Sequence, residues 1–374
     1  MSMADAATPV VIEASALDQL ISILKSKGFE VLGPVRRDGA IIHDHVESSA
    51  DLPRGWVDAQ SGGRYRLHQE GDAYFGYTVG PSSWKRLLHP PEQPLWRCGT
   101  RDGEIRIDAA PVDETRHALL GVRPCELAAI AMQDKVFLDG PYRDPHYAAR
   151  REGLFIVAVN CSRSAETCFC TSMGTGPKAR ECYDITLTEF SDGRFLANAG
   201  STEGTEILGA LSGRPADAAD VDAAEAATDA AARQITRRLE TRGLPEILKT
   251  SPEHPRWDEV AARCLGCANC TMVCPTCFCT DVEEINDLAS GDSARVQRWA
   301  SCFTADFTYL HGGGAVRESS RSRYRQWMTH KLATWHDQFG TSGCVGCGRC
   351  ITWCPVGIDI TEEAAAIRGS TEGG

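Results

Sequence analysis

Between residues 14 and 28 the apolar side chains Leu17, Leu20, Ile21 and Leu24 recur at helical spacing, which predicts a first helix over Ala14 to Gly28. Glu104 to Ala109 alternates polar and apolar, the period of a half-exposed strand. Ala118 to Val122 and Leu154 to Val159 are short, unbroken apolar runs, which read as strands covered on both faces. Between them, Glu126 to Phe137 places Leu127, Ile130, Ala131 and Val136 along one helical side. A strand, a helix and a strand in that order predict a parallel crossover and hence an α/β domain over residues 1–214 with a parallel-sheet core.

The pattern then changes. From Pro215 to about Arg242 the chain is rich in Ala, acidic first and basic later, which suits a helix aligned with its own dipole. Residues 215–255 are therefore expected to form a solvated helical linker without chemistry, ending at a hinge over Ser251 to Pro255 (SPEHP). Residues 256–374 form a second module with a mostly helical insertion over 280–343, which contains RESSRSRYRQWMTHKLATW.

Composition adds one decisive fact: the chain carries 17 cysteines. Its net charge of −12 argues against polyanionic partners such as nucleic acid or an anionic membrane. No apolar run approaches a bilayer span, and the opening MSMADAATPV lacks the basic and apolar stretches of an export signal, so the cytoplasm is the expected location. In a reducing compartment, so many thiols point to metal and not to disulfides. Scattered buried thiols describe Cys98 and Cys182 but not the tight runs elsewhere.

Those runs are regular. Cys264, Cys267, Cys270 and Cys274-Pro275 follow C-x2-C-x2-C-x3-C-P, and Cys344, Cys347, Cys350 and Cys354-Pro355 repeat it. In this bacterial ferredoxin run three cysteines hold one 4Fe–4S cube and the fourth serves the other cluster. A loop with a ligand every third residue wraps three corners of a cube only where it lacks bulk, as Gly266, Ala268, Gly346 and Gly348 provide. The expected sets are Cys264, Cys267, Cys270 and Cys354 for one cluster, and Cys344, Cys347, Cys350 and Cys274 for the other. Zinc, which uses two separated C-x2-C pairs, would waste the third cysteine of each run.

Cys277 and Cys279 are surplus to both sets. They sit in TCFCT, which also occurs at Thr167 to Thr171, and two readings stand: thiols lining a cluster, or a further ligand set completed by Cys302. In the first domain Cys125 and Cys161 directly follow the two apolar strands, and Cys168 and Cys170 come a few residues later. Parallel strands end at one sheet edge, where ligands collect. Four thiolates there suffice for a third 4Fe–4S cluster, with zinc as the alternative.

The stretches GVRPCELAAI, DPHYAARR, NCSRSAETCFCTSMGTGP, CLGCANCTMVCPTCFC, SCFTADFTYLHGGGAVR, SRYRQWMTHK and CVGCGRCITWCPVGID together resemble the iron–sulfur β subunit of cytoplasmic, NAD(P)-linked nickel–iron sulfhydrogenases. They are also similar to the iron–sulfur subunit of anaerobic sulfite reductase. The resemblance covers about residues 100 to 360; the first hundred match loosely. It implies an electron-transfer subunit with three 4Fe–4S clusters, between a flavoprotein that binds NAD(P)H and a hydrogenase small subunit. Its third cluster falls on Cys125, Cys161, Cys168 and Cys170.

No dinucleotide fingerprint or phosphate-binding P-loop is present, and Gly312 to Gly314 (HGGGA) reads as a tight turn near a cluster. His311 and His330 read as structural. No catalytic residue is assigned: the chain reads as a relay and not as the place where substrate reacts. Arg317, Arg321, Arg323 and Arg325 stand out in an acidic chain, either offsetting cluster charge, docking an acidic partner or forming a solvated face. Three functions remain: a hydrogenase relay subunit, a sulfite or sulfur reductase relay subunit, and a zinc-bound scaffold.

Overall fold

The computed structural model describes residues 8–371, so the first seven residues of the stretch read for an export signal lie outside it. Strands β1 (Val10–Ile12), β2 (Glu30–Arg37) and β3 (Ala40–His45) open the chain, followed by a hairpin of β4 (Trp56–Ser61) and β5 (Arg64–Gln69). A long ribbon of β6 (Glu92–Arg101) and β7 (Glu104–Ala109) precedes the apolar strands β8 (His117–Val122) and β9 (Leu154–Val159). After β10 (Ile185–Glu189), β11 (Phe195–Ala199) and β12 (Gly213–Pro215) come β13 (Thr280–Asn286) and β14 (Ser293–Trp299).

The central sheet runs β12-β1-β11-β10-β9-β8-β2-β3. Its middle strands β2, β8, β9 and β10 are parallel, while both flanks are antiparallel, so the sheet is mixed around a parallel core. Every residue of β8 is buried, and only Leu154 of β9 is partly exposed, as unbroken apolar runs require of strands covered on both faces. The first helix spans Ala16–Ser26 and buries Leu17, Leu20, Ile21 and Leu24 against one face. The crossover from β8 to β9 carries two helices, Pro124–Phe137 and Pro145–Glu152, each begun by a proline whose missing N–H goes unused in the first turn.

The Ala-rich segment forms a helix over Ala218–Gln234, entered through a capping box of Asp217 and Asp220. It is not free in solvent: Ala224, Thr228 and Ala231 are buried, and it lies against β10 and β11. The SPEHP segment is likewise tied down, because Ser251 O accepts from Trp257 Nε1 at 2.8 Å and Pro252 O accepts from Arg325 at 2.6 Å.

The insertion differs from the expected helical one. It opens with β13 and β14, and β14 pairs with β6 to give a second sheet, β13-β14-β6-β7, from opposite ends of the sequence. Strongly charged strands such as TDVEEIN carry no clear apolar period, and their ladder partner lies far away in sequence. Helical structure follows as a 3-10 turn at Asp306–Thr308, a helix at Ser320–Thr329, a π-helical turn at His330–Thr334 and a short helix at Trp335–Phe339. HGGGA is an exposed hairpin turn. Among the described residues no helix is long and apolar enough to cross a membrane.

Candidate iron–sulfur centres

The two cysteine runs fold alike. Gly266 and Gly346 have φ of 63° and 66°, Ala268 and Gly348 have φ of 64° and 76°, and each run continues into a single turn of helix, Asn269–Met272 or Arg349–Thr352. The left-handed positions turn backbone amides inward: Gly266 N–H donates to Cys264 Sγ and Gly346 N–H to Cys344 Sγ, both at 3.4 Å. Ile358 N–H donates to Cys354 Sγ at 3.3 Å. Such donors stabilise sulfur that carries charge.

Cys264, Cys267, Cys270 and Cys354 line one cavity of about 420 Å³, walled by Phe303, Tyr324 and Trp327. This cavity gathers three cysteines of the first run with Cys354 of the second. Cys344, Cys347 and Cys274 are buried, and Cys350 faces all three of them from the second run. Cys350 also lines the first cavity, so the two sets adjoin.

Cys125, Cys161, Cys168 and Cys170 line a further cavity of about 380 Å³. Cys125 opens the helix after β8, and Cys161 lies two residues past β9, so parallel strand ends deliver both to one edge. Cys168 and Cys170 come from a loop that lies on the second ferredoxin run: Phe169 N–H donates to Gly346 O at 2.8 Å, and Thr175 donates to Val345 O at 2.6 Å. Cys347 lines this cavity too, which joins it to the second set.

That docking explains a difference between the runs. A Cβ on Gly346 would stand 2.7 Å from Cys170 Cα, and one on Gly348 would stand 2.3 Å from Thr167 O. A Cβ on Gly266 would meet nothing within 4 Å, and the twin of Gly348 is an alanine, Ala268. The second run needs glycine because another backbone lies against it.

Burial pushes Cys125 and Cys170 well above the ordinary thiol range, and Cys168 and Cys344 up to about 12. A bound cation would favour their thiolate forms. Arg123 opposes the effect of burial at Cys161: its buried guanidinium, held by the carbonyls of Phe75 and Tyr77 at 2.8 and 2.6 Å, favours that thiolate. Cys274 differs. The neighbouring Cys277 thiol, then Lys331 and Thr276 at 3.3 and 3.2 Å from its sulfur, hold Cys274 well below the usual range despite burial.

The surplus cysteines are thus placed. Cys277 supports Cys274, and Cys279 and Cys302 are neighbours. Each TCFC loop bonds beside the second run: Phe169 N–H donates to Gly346 O, and Thr276 donates to Gly343 O at 2.6 Å. Cys98 is half-buried and Cys182 is exposed, so the latter is no core thiol. His330 bonds Gln338 at 2.9 Å, and His311 is exposed on its turn. Of the arginines, Arg321 pairs with Glu253 and Asp258 at 2.8 and 3.1 Å and Arg325 with Glu253 at 3.6 Å, clamping the SPEHP turn, while Arg323 caps Phe303 O at 3.1 Å.

Three charged side chains around these centres carry no sequence signal. Arg349, 1 % exposed, pairs with buried Glu126 at 2.6 Å and donates to Gly80 O and Ser82 O, locking the second run onto the first domain. Lys331 and Lys85 are each 4 % exposed. Lys331 Nζ lies 3.3 Å from Cys274 Sγ; Lys85 Nζ lies 3.7 Å from the Trp299 ring centre and faces Cys277 and Cys274. In sequence each looks like an ordinary surface residue.

The paired loops, the exchanged fourth cysteine and the thiol-lined cavity define a dicluster protein of the bacterial ferredoxin kind. Residues 263–358 match the family described as 4Fe-4S dicluster domain. Across 291 residues the chain is 33 % identical to the sulfhydrogenase 2 subunit beta of Pyrococcus furiosus, covering 76 % of this chain and 84 % of that one. The chain belongs to the family of iron–sulfur sulfhydrogenase β subunits. No solved structure matches it.

Proposed function

We propose that this chain is the electron-relay subunit of a cytoplasmic hydrogenase complex, holding three 4Fe–4S clusters. The ligands are Cys264, Cys267, Cys270 and Cys354; Cys344, Cys347, Cys350 and Cys274; and Cys125, Cys161, Cys168 and Cys170. When bound, the clusters supply one-electron chemistry at low potential. The chain's own residues hold them in a row: Cys347 borders the first-domain site and Cys350 borders the site of Cys264, so the second set stands in the middle. Phe303, Tyr324 and Trp327 wall one side of the site of Cys264, and N–H groups of Gly266, Gly346 and Ile358 point at ligand sulfurs. In this reading the flanking partners are a flavoprotein that binds NAD(P)H and a nickel–iron hydrogenase small subunit; the relative's name, a sulfhydrogenase subunit, supports a multi-subunit assembly.

The observation that supports this reading is the gathering of Cys264, Cys267, Cys270 and Cys354 around one cavity and of Cys125, Cys161, Cys168 and Cys170 around another. Cavities lined by four thiols suit a cube, each of whose irons takes one of them. Chain purified without oxygen is expected to contain three cubes of four irons each, with a broad visible absorption that dithionite bleaches. Cys264→Ser removes one cube and disturbs its neighbour through the shared loops. Stoichiometric zinc, four irons per chain, or an unchanged iron count in Cys264→Ser overturns the proposal.

A further inference from the structure

Beside the middle site lies a buried ammonium without a carboxylate. Lys331 pairs with no Asp or Glu among the described residues, although an unpaired charge in the interior is strongly disfavoured. Its Nζ has three partners: Cys274 Sγ at 3.3 Å, Thr276 Oγ1 at 3.1 Å and Gly343 O at 3.1 Å. Two of these are neutral, so sulfur is the only anion available to it. The backbone is built around this contact. Lys331 lies in the π-helical turn His330–Thr334, a local widening that interrupts the helices on either side. Its carbonyl accepts from Gly343 N–H at 2.8 Å, while Gly343 O accepts from its ammonium, so side chain and main chain grip the residue before Cys344 from both sides.

We propose that Lys331 is a positioning residue that sets the reduction potential of the group held by Cys344, Cys347, Cys350 and Cys274. A fixed positive charge and an N–H···S bond at one ligand favour the state with the extra electron, which raises the potential of that group relative to the same group without Lys331. The π-helical turn exists to aim this ammonium at Cys274. The inference rests on the assignment of Cys274 as a ligand, and the two fail differently: an iron count unaltered in Cys274→Ser removes the assignment.

The test is a redox titration of the full chain, purified without oxygen and followed by electron paramagnetic resonance, in wild type, K331M and K331R. Iron content is expected to be equal in all three. In K331M one signal shifts to a more negative midpoint while the others stay, and K331R, which keeps the charge, restores most of that shift. An unchanged midpoint in iron-replete K331M overturns the inference, and so does an equal shift of every signal. Where K331M assembles less iron, K331Q, which keeps a donor without the charge, is titrated by the same criterion.

Discussion

The two cysteine runs share spacing, turn geometry and sulfur-directed amides, yet they occupy opposite environments. In the first run Leu265 is 66 % exposed and Cys267 reaches solvent; in the second Val345 is 2 % exposed and Cys347 is buried. The difference comes from what lies on top. The first run keeps an open face, while the second is covered by the 167–170 loop, by the Arg349–Glu126 pair and by Lys331. Loop shape follows from local spacing, whereas burial and nearby charge, which tune a cluster, follow from the covering elements. Two copies of one motif are thereby made unequal.

The largest effect on this contrast is expected from Arg349→Met. It leaves Glu126 buried without its cation, which costs on the order of 3–5 kcal/mol and should detach the second run from the first domain. Thermal unfolding of anaerobic protein and iron loss from the first-domain site would both report it; an unaltered midpoint temperature would contradict the clamp.

Gly346→Ala sharpens the comparison most directly. The added methyl meets the Cys170 backbone at 2.7 Å, and overpacking of this kind costs about 1–3 kcal/mol, added to about 1–2 kcal/mol for a side chain in the left-handed region. Gly266→Ala, with the same backbone and open space, should show only the second part. Equal losses in the two variants, measured as shifts in midpoint temperature, would mean that the covering loop does not bear on the run.

The covered side should also weaken in acid. His43, stacked on Trp84 at 3.8 Å, is held down to about 3 by burial and by Arg349, against an ordinary 6.5. The unfolded chain therefore takes up a proton on this residue between those values and the folded chain does not. Stability is lost as pH falls through 6.5, by up to about 1.4 kcal/mol per pH unit, until about 3. Denaturant titrations of wild type and His43→Gln across that window check it, the variant losing that share of the slope.

The smallest effect is expected on the uncovered side. Arg325→Ala removes an ion pair to exposed Glu253 and should change stability by no more than about 1 kcal/mol, fading with added salt. A larger, salt-independent loss would point to the hydrogen bond from Arg325 to Pro252 O as the stronger part of the clamp.

Much of this was legible beforehand. The first helix and the paired strands β8 and β9 were readable because a single face, or both faces, must be apolar to be buried, and that leaves a period in the chain. The ferredoxin runs were readable because their ligands are close in sequence. The first-domain foursome was visible only as cysteines following strands, since its spacing fits no single pattern. Of the second sheet only β7 was readable; its pairing was missed, as β13 and β14 are charged and their ladder joins residue 92 to residue 298.

By itself, the sequence determined which cysteines lie in the two ferredoxin-type loops and which segments span the parallel core of the central sheet, because both are set by local spacing and by repeating apolar positions. Only the tertiary structure decided that the second run is covered, that glycine is compulsory at 346 and 348, and that Lys331, Lys85 and Arg349 are interior charges. Those properties depend on contacts between residues far apart in the chain. A lysine aimed at a sulfur and a lysine aimed at water are written with the same letter.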